Sequence, residues 1–199
     1  MTEAETVERI PLLERDEVSP EVASVYDALL KTRGVVPNMF RTLAHTPVLA
    51  LATAGYLKAL LSDGALPGAY KELIATRISA LLASEYAVKA HSFSALQKGA
   101  SEAQIAGAKG DFESGVFSEA EKIGFRAAER LHRSPTEITD EFFAELKRHY
   151  NDAQVVELIA TAAAFELFPR FVDGLRIPIT PAPVQARKAF EWASSPKFS

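Results

Sequence analysis

The hydrophobic and polar positions of the chain follow a helical period, and helix start and stop signals recur between them. Ser19-Pro20 supplies an N-cap and a proline at the first helical position, and the apolar residues that follow predict a helix ending near Gly34. Thr46-Pro47 begins a second helix, which is expected to stop at Gly64. Leu66-Pro67-Gly68 begins a third, whose positions are apolar almost all round, as is typical of a core helix: Leu73, Ile74, Ala75, Ile78, Leu81 and Leu82.

Capping signals continue through the rest of the chain and predict helices throughout. Ser84 is placed as the N-cap of a helix that Gly99 ends. Further helices are expected to begin at residues of capping type: Ser101, Ser118, Asp140 and Asp152. The helix from the last of these is expected to end near Phe168, and residues 177–199 to form an extended proline-rich strap followed by a short helix over 185–193. We therefore predict an all-α fold.

One pentapeptide occurs twice. Glu72-Leu-Ile-Ala-Thr76 recurs as Glu157-Leu-Ile-Ala-Thr161, and each copy follows a helix, a short turn and a tyrosine-containing segment. We interpret residues 19–99 and 118–175 as two related helical halves about a pseudo-twofold axis, within a single domain over 1–199. Two copies at so long a period do not indicate a solenoid.

Composition narrows the function classes. The 199 residues are 48% hydrophobic and include no cysteine, which excludes thiol peroxidase chemistry, disulfide exchange and thiolate metal sites. The formal charge is -4 without a block of basic residues, so nucleic acid is not an expected partner. The acidic start and the lack of a long apolar run predict a cytoplasmic protein with no membrane contact.

Two neighbouring helices carry the candidate chemistry. Along the core helix, Glu72 begins a stripe of polar or small residues, and a carboxylate there is expected to be partly desolvated. Burial raises a carboxyl pKa towards the range of a general base unless a cation or donor offsets it. In the next helix His91 lies on a face of small residues, and Ser84 lies at the junction of the two stripes.

Structural interpretations of the same residues stay open. Glu157 repeats Glu72, so both glutamates could bind backbone or an arginine, and Ser84 could serve only as an N-cap. Glu129 and His132 have the spacing of one half of a di-iron motif, but the other half is missing. We therefore expect neither a metal nor an organic cofactor.

Taken together, several segments of the chain resemble one protein family. They are Gly34-Val-Val-Pro-Asn-Met-Phe40 with Leu43-Ala-His45-Thr-Pro47, Lys71-Glu72-Leu73, Ser84-Glu-Tyr-Ala87-Val-Lys-Ala-His91 with Lys98-Gly99, and Phe168-Pro-Arg170-Phe-Val-Asp-Gly174. Over about residues 34–176 the chain resembles the carboxymuconolactone decarboxylase and alkylhydroperoxidase D superfamily. The resemblance implies an AhpD-like helical bundle and assembly as a homo-oligomer, a trimer or hexamer, with a dimer as the alternative.

The resemblance also implies a site. In peroxidase-like members a Cys-x-x-Cys pair stands where this chain has Ser84 and Ala87, with glutamate and histidine at the positions of Glu72 and His91. Decarboxylase-like members lack the cysteines and often carry glutamate at the Ala87 position, from which this chain also departs. The resemblance therefore implies catalytic roles for His91, Glu72 and Ser84. Residues expected to bind a small-molecule substrate are Tyr86, Glu85 and Arg170.

Three functional hypotheses follow. The first is an enzyme that transfers protons on a small organic acid or lactone, by decarboxylation or isomerisation, with His91 as general acid and base and Glu72 as its relay. The second is a non-catalytic binding or scaffold member of the fold. The third is an alkylhydroperoxidase or peroxiredoxin-type antioxidant protein by lineage only, because no cysteine is present.

Overall fold

The computed structural model describes residues 9–181, which form α-helices joined by turns and short loops without a β-strand. One 3-10 turn precedes the first α-helix, at Arg15–Glu17, and another lies between two later helices, at Pro135–Glu137. No helix in this described range has the length and apolar character needed to cross a membrane. Nine helices occur within it: α1 (Pro20–Arg33), α2 (Asn38–Leu43), α3 (Pro47–Leu61), α4 (Gly68–Leu81), α5 (Glu85–Gln97), α6 (Glu102–Lys109), α7 (Glu119–Arg133), α8 (Asp140–His149) and α9 (Asp152–Gly174).

The chain divides into two compact units, with the boundary inside α3. The first unit holds α1, α2 and the start of α3 together with residues 177–181. Its core includes the buried Tyr26, whose hydroxyl donates to the Leu13 and Phe40 carbonyls at 3.3 and 3.4 Å. The Asn38 side chain donates to the Pro178 carbonyl at 3.0 Å, which fixes the start of the strap within this unit. The single domain expected from the sequence stays a prediction.

The second unit, Gly55–Arg176, is built around α4. This helix packs against α5, α6, α7 and α9, and it is apolar almost all round because it has neighbours on most sides. Ile74, Ala75 and Ile78 have no exposed surface, as the sequence pattern predicts. The cluster around α4 also contains Phe125 and Phe165, so this unit carries its own hydrophobic core.

Most predicted caps are confirmed. Ser19, Ser84, Ser101 and Ser118 each accept a hydrogen bond from a backbone amide in the first turn, and the last two form complete capping boxes. The two aspartate caps were wrong by one residue. Thr139 and Asn151 cap α8 and α9 instead, and the aspartates stand at the first helical position of each.

Two further differences concern the ends of elements. The prediction that the last helix stops near Phe168 was wrong, because α9 continues through Pro169 to Gly174. A proline inside a helix removes one backbone hydrogen bond, but Pro169 and Val172 are both buried, and their burial holds the extra turns in place. The short helix predicted over 185–193 lies outside the described residues.

Candidate active site

The turn between α4 and α5 brings the candidate residues together. Ala83 adopts a left-handed conformation, with φ of 54°, and the Ser84 amide donates to the Ser79 carbonyl at 3.0 Å. A left-handed residue is unfavourable for a side chain larger than glycine, but it reverses the chain within three residues. As a result α5 folds back along α4, and residues in the middle of both helices face each other.

His91 and Glu72 form a direct hydrogen bond across this helical hairpin. His91 Nδ1 lies 2.7 Å from Glu72 Oε2. The Glu72 side chain is 1% exposed and the His91 side chain 11%. An ionised carboxylate can only accept a hydrogen bond, so Nδ1 carries the proton in this bond. The other ring nitrogen, Nε2, is then the acceptor of the neutral imidazole. The two helices thus present one imidazole nitrogen with its tautomer fixed by a buried acceptor.

Lys98 completes the site, and its role was not predicted from the sequence. Its Nζ donates to Glu72 Oε1 at 2.6 Å and to the Leu61 carbonyl, at the end of α3, at 2.7 Å. Lys98 follows His91 by seven residues, which is two helical turns, so the two side chains leave α5 on the same face. That spacing was the available signal. The partner on α4 could be known only from the packing of the two helices.

The Glu72 carboxyl is ionised. Burial is the largest influence and raises the pKa of Glu72, but the hydrogen bonds and charges of His91 and Lys98 together outweigh it and leave this pKa below its ordinary value. The sequence predicted that burial would raise this pKa unless a cation or donor offset it, and both are present. Glu72 therefore acts as a charged acceptor and is a poor candidate for a free base.

An aromatic side chain of α9 orients the imidazole. The rings of His91 and Phe165 meet edge to face at 73°, with centroids 4.3 Å apart. Phe165 is buried and packs in turn against Phe168 at 6.0 Å. The ring of His91 is therefore held on one side by a carboxylate and on another by an apolar contact.

Ser84 is buried at the start of α5, where its Oγ accepts from the Ala87 amide at 3.4 Å. The hydroxyl therefore acts as an N-cap in the structure, which is the structural role that the sequence left open. Ser84 precedes His91 by two helical turns, and its cap fixes where α5 begins.

The three residues expected to bind substrate have different environments. Tyr86 is buried in the first turn of α5. Glu85 is largely exposed and pairs with Lys89 at 2.5 Å, on the outer side of the helix. Arg170 pairs with Glu166 at 2.5 Å, and Glu166 also lies 2.6 Å from His132 Nδ1. The structure therefore joins neither Glu85 nor Arg170 to the His91 and Glu72 pair by a hydrogen bond.

The second copy of the pentapeptide has a different role from the first. Glu157 accepts from the Ala65 and Leu66 amides, each at 3.0 Å, and pairs with Lys71 Nζ at 2.9 Å. Burial raises the pKa of the Glu157 carboxyl, but the Leu66 amide, Lys71 and the Ala65 amide hold it below its ordinary value. Glu157 thus fixes the loop before α4, whereas Glu72 faces a histidine.

The di-iron spacing noted in the sequence does not assemble a ligand set. Glu129 accepts from Arg77 Nε at 2.8 Å, and His132 pairs with Glu166. Between residues 9 and 181 no group of three or more metal-ligating side chains comes together.

Comparison with known proteins finds a family match over part of the chain and similar solved structures. Residues 47–130 match the model of the carboxymuconolactone decarboxylase family. No curated protein sequence matches the chain. A peroxidase-related protein from Silicibacter sp. TM1040 has 19% identity and a TM-score of 0.80, covering 92% of this chain and 96% of its own.

Two other solved structures are similar to this chain. A peroxidase-related protein with an alkylhydroperoxidase AhpD core, from Ralstonia eutropha JMP134, has 22% identity and a TM-score of 0.81 over 88% of this chain and 94% of its own. The debrominase Bmp8, in a cysteine-to-alanine variant bound to 2,3,4-tribromopyrrole, has 24% identity and a TM-score of 0.76 over 94% and 98%.

The solved structures show that the chain has the AhpD-like helical fold, and the family match over residues 47–130 agrees with the resemblance found in the sequence. This chain lacks the Cys-x-x-Cys pair of the peroxidase-like proteins that it resembles. Ser84 and Ala87 occupy its place, and no cysteine occurs in the 199 residues.

Proposed function

We propose that the protein catalyses cofactor-free proton transfer on a small organic acid or lactone, by decarboxylation or isomerisation. His91 is the general acid and base, and Glu72 fixes its tautomer. The observation that carries the proposal is the 2.7 Å bond from His91 Nδ1 to a buried carboxylate that Lys98 also binds. Such a bond directs Nε2 to the substrate and stabilises the imidazolium that forms when the ring takes a proton.

The other predicted site residues enter the proposal in supporting roles. Ser84 begins α5 and so positions His91, and Tyr86 is the buried candidate for substrate contact nearest to it in the chain. Glu85 and Arg170 would have to leave Lys89 and Glu166 before they could bind a substrate carboxylate.

The test is a substrate screen combined with two histidine variants. Unsaturated lactones and β-keto acids are incubated with the protein, and isomerisation is followed by ultraviolet absorbance and decarboxylation by release of carbon dioxide. On any substrate found, His91→Gln should lower kcat by roughly 100- to 10,000-fold, the usual contribution of general acid and base catalysis. His149→Ala is the matched control, because His149 is an exposed histidine at the end of α8. Full activity of His91→Gln contradicts the mechanism.

A binding protein without chemistry is the second candidate. The absence of cysteine favours it, as does the Bmp8 variant, in which a cysteine-to-alanine form of a similar fold holds 2,3,4-tribromopyrrole. Titration calorimetry with brominated pyrroles and with lactones tests it. Saturable binding with no product after prolonged incubation supports this candidate over the enzyme.

A peroxidase function by lineage is tested separately. Peroxide consumption is measured with and without a dithiol reductant, and no rate above background is expected from a chain without thiols. A clear rate from the isolated protein contradicts this expectation.

The assembly and location are also proposals. We propose a cytoplasmic homo-oligomer, a trimer or hexamer, with a dimer as the alternative. Supporting the assembly, the adjacent Val48 and Leu49 on α3 are 79% and 49% exposed, and exposed apolar side chains that form a patch are typical of an interaction surface. Light scattering after size exclusion should give a mass above 21.6 kDa, and Val48→Asp should lower it. A monomer at every concentration contradicts the assembly, and recovery of the native protein in a membrane fraction contradicts the location.

A further inference from the structure

The outer face of α9 carries an apolar stripe that the described part of the chain leaves exposed. Four residues spaced by four, three and four positions share this face: Val156, Ala160, Ala163 and Leu167. Val156 is 67% exposed and Leu167 60%, the highest values among the large apolar side chains described in the second unit. On the opposite face of α9, Leu158 and Phe165 are buried in the core. The helix therefore has one apolar face inside the unit and a second one at its surface.

The residue sizes along the stripe are the same when it is read in either direction. Its two central positions are alanines, and its two ends are the larger Val156 and Leu167. A twofold axis between Ala160 and Ala163 would place Val156 of one copy beside Leu167 of a second copy, at both ends of the contact. Small residues at a crossing point let two helices approach closely, so the alanines suit the centre of such a contact. A contact that uses the same patch on both copies needs this symmetry.

Two opposite charges flank the stripe. Asp152 precedes it and Arg170 follows it, 18 residues apart, which is five complete helical turns. The two side chains therefore leave α9 on the same flank, about 27 Å apart along the helix. In an antiparallel pair of copies each Asp152 lies beside the Arg170 of the other copy. A parallel pair would set like charge against like charge, so the charges favour the antiparallel arrangement.

Both charged groups are accessible to a second copy. The Asp152 side chain is 93% exposed and the Arg170 side chain 59%. Within the chain Lys147 binds Oδ1 of Asp152, and Glu166 binds Nη1 of Arg170. Ion pairs at such exposed positions contribute little to stability. Asp152 and Arg170 can therefore share or exchange these neighbours for a partner at small cost.

We propose that the exposed face of α9 is a twofold, antiparallel contact between two copies of this chain. The inference rests on the self-association proposed above, and it adds a surface separate from Val48 and Leu49 of α3. The α9 contact by itself makes a dimer. If the α3 surface joins three copies, the two contacts together make a hexamer, because a closed assembly of that size combines a threefold with a twofold axis.

Charge reversal in the full chain tests the contact. Asp152→Arg and Arg170→Asp should each halve the mass measured by light scattering after size exclusion, because each brings like charges together at both ends. An equimolar mixture of the two variants should return the parent mass, since each copy then meets the opposite charge. Contacts within one chain cannot produce this recovery. The control is Lys89→Glu, which reverses an exposed charge on α5 and should leave the mass unchanged.

An introduced thiol gives a second readout, because the chain has no cysteine of its own. Ala163 is exposed beside the expected twofold axis, so Ala163→Cys should form a covalent dimer with a short bismaleimide. Leu96→Cys places the thiol at an apolar position of α5 that is 40% exposed, and it should not. No covalent dimer from Ala163→Cys overturns the inference, even if both charge variants fail to fold.

The remaining outcomes separate this contact from the assembly proposed above. An unchanged mass in both charge variants, or a mixture that does not recover, overturns the α9 contact. If those variants keep the parent mass while Val48→Asp lowers it, the proposed assembly stands and this inference fails. If Val48→Asp changes nothing while the α9 variants behave as expected, the α9 contact stands and the α3 surface fails. A parent that is monomeric at every concentration overturns both and leaves the face to a different protein.

Discussion

The ion pair of Lys71 and Glu157 joins a buried partner to a partly exposed one. The Lys71 side chain is 1% exposed and the Glu157 side chain 29%, with 2.9 Å between Nζ and Oε2. Glu157 also accepts from two backbone amides of the loop before α4. Two single substitutions therefore break the same bond but leave behind groups in different environments.

The two substitutions are expected to lower the free energy of unfolding by unequal amounts. Glu157→Gln leaves a fully buried ammonium group without its counter-charge, and a buried ion that loses its partner typically costs about 3–5 kcal/mol. Lys71→Met leaves a carboxylate that reaches water and keeps its two amide donors, so a cost of about 1 kcal/mol is expected. Gln and Met keep the approximate volume of the side chains they replace, so the difference reports on charge.

Urea unfolding followed by circular dichroism at pH 7 measures both costs. The double variant Lys71→Met with Glu157→Gln supplies the control, since it buries no unpaired charge and should be more stable than Glu157→Gln alone. Equal losses in the two single variants would refute the reasoning, as would a double variant whose loss equals the sum of the two.

Three further predictions concern other buried groups. Gly124→Ala should lower the melting temperature, because its Cβ would lie 2.1 Å from the Tyr70 hydroxyl, whereas Gly55→Ala, which meets nothing within 4 Å, should not. Glu72→Gln should flatten the acid dependence of unfolding free energy. The pKa of Glu72 is lowered in the folded protein, so its contribution is complete above about 4.5 and is lost as pH falls through the folded value. Burial and the charge of Glu17 raise the pKa of Tyr26 from 10.0 to about 12, so its contribution is complete below pH 10 and lost as pH rises through about 12. Tyr26→Phe should remove this loss, and urea midpoints across both pH ranges test the two variants.

Local signals predicted most of the helices and missed features that depend on packing. Serine caps and capping boxes act within four residues, so Ser101 and Ser118 could be identified without knowledge of the fold. The six-residue α2 carries too little periodicity to be recognised, and its residues are helical because most of them are buried. The continuation of α9 beyond Pro169 likewise depends on burial, which no local signal reports.

The candidate site was predicted only in part, because some of its contacts depend on packing and not on local signals. His91 and Glu72 stood out as polar residues on otherwise apolar or small helix faces, and the structure joins them. Lys98 did not stand out, because a lysine near the end of a helix is ordinary in sequence and becomes informative only through its partner on α4. Glu85 was expected from its place in the chain near the candidate site and Arg170 from its fork of donors, and each has a neighbour on its own helix that binds it.

The repeated pentapeptide separates what sequence determines from what tertiary structure decides. Both copies specify a helix with one glutamate on an apolar surface, because side-chain period and helix propensity are local properties. The partners of that glutamate belong to other elements: His91 and Lys98 meet Glu72, whereas two loop amides and Lys71 meet Glu157. The identical sequences therefore carry different chemistry, since the environment of a carboxylate is set by the groups that packing brings to it.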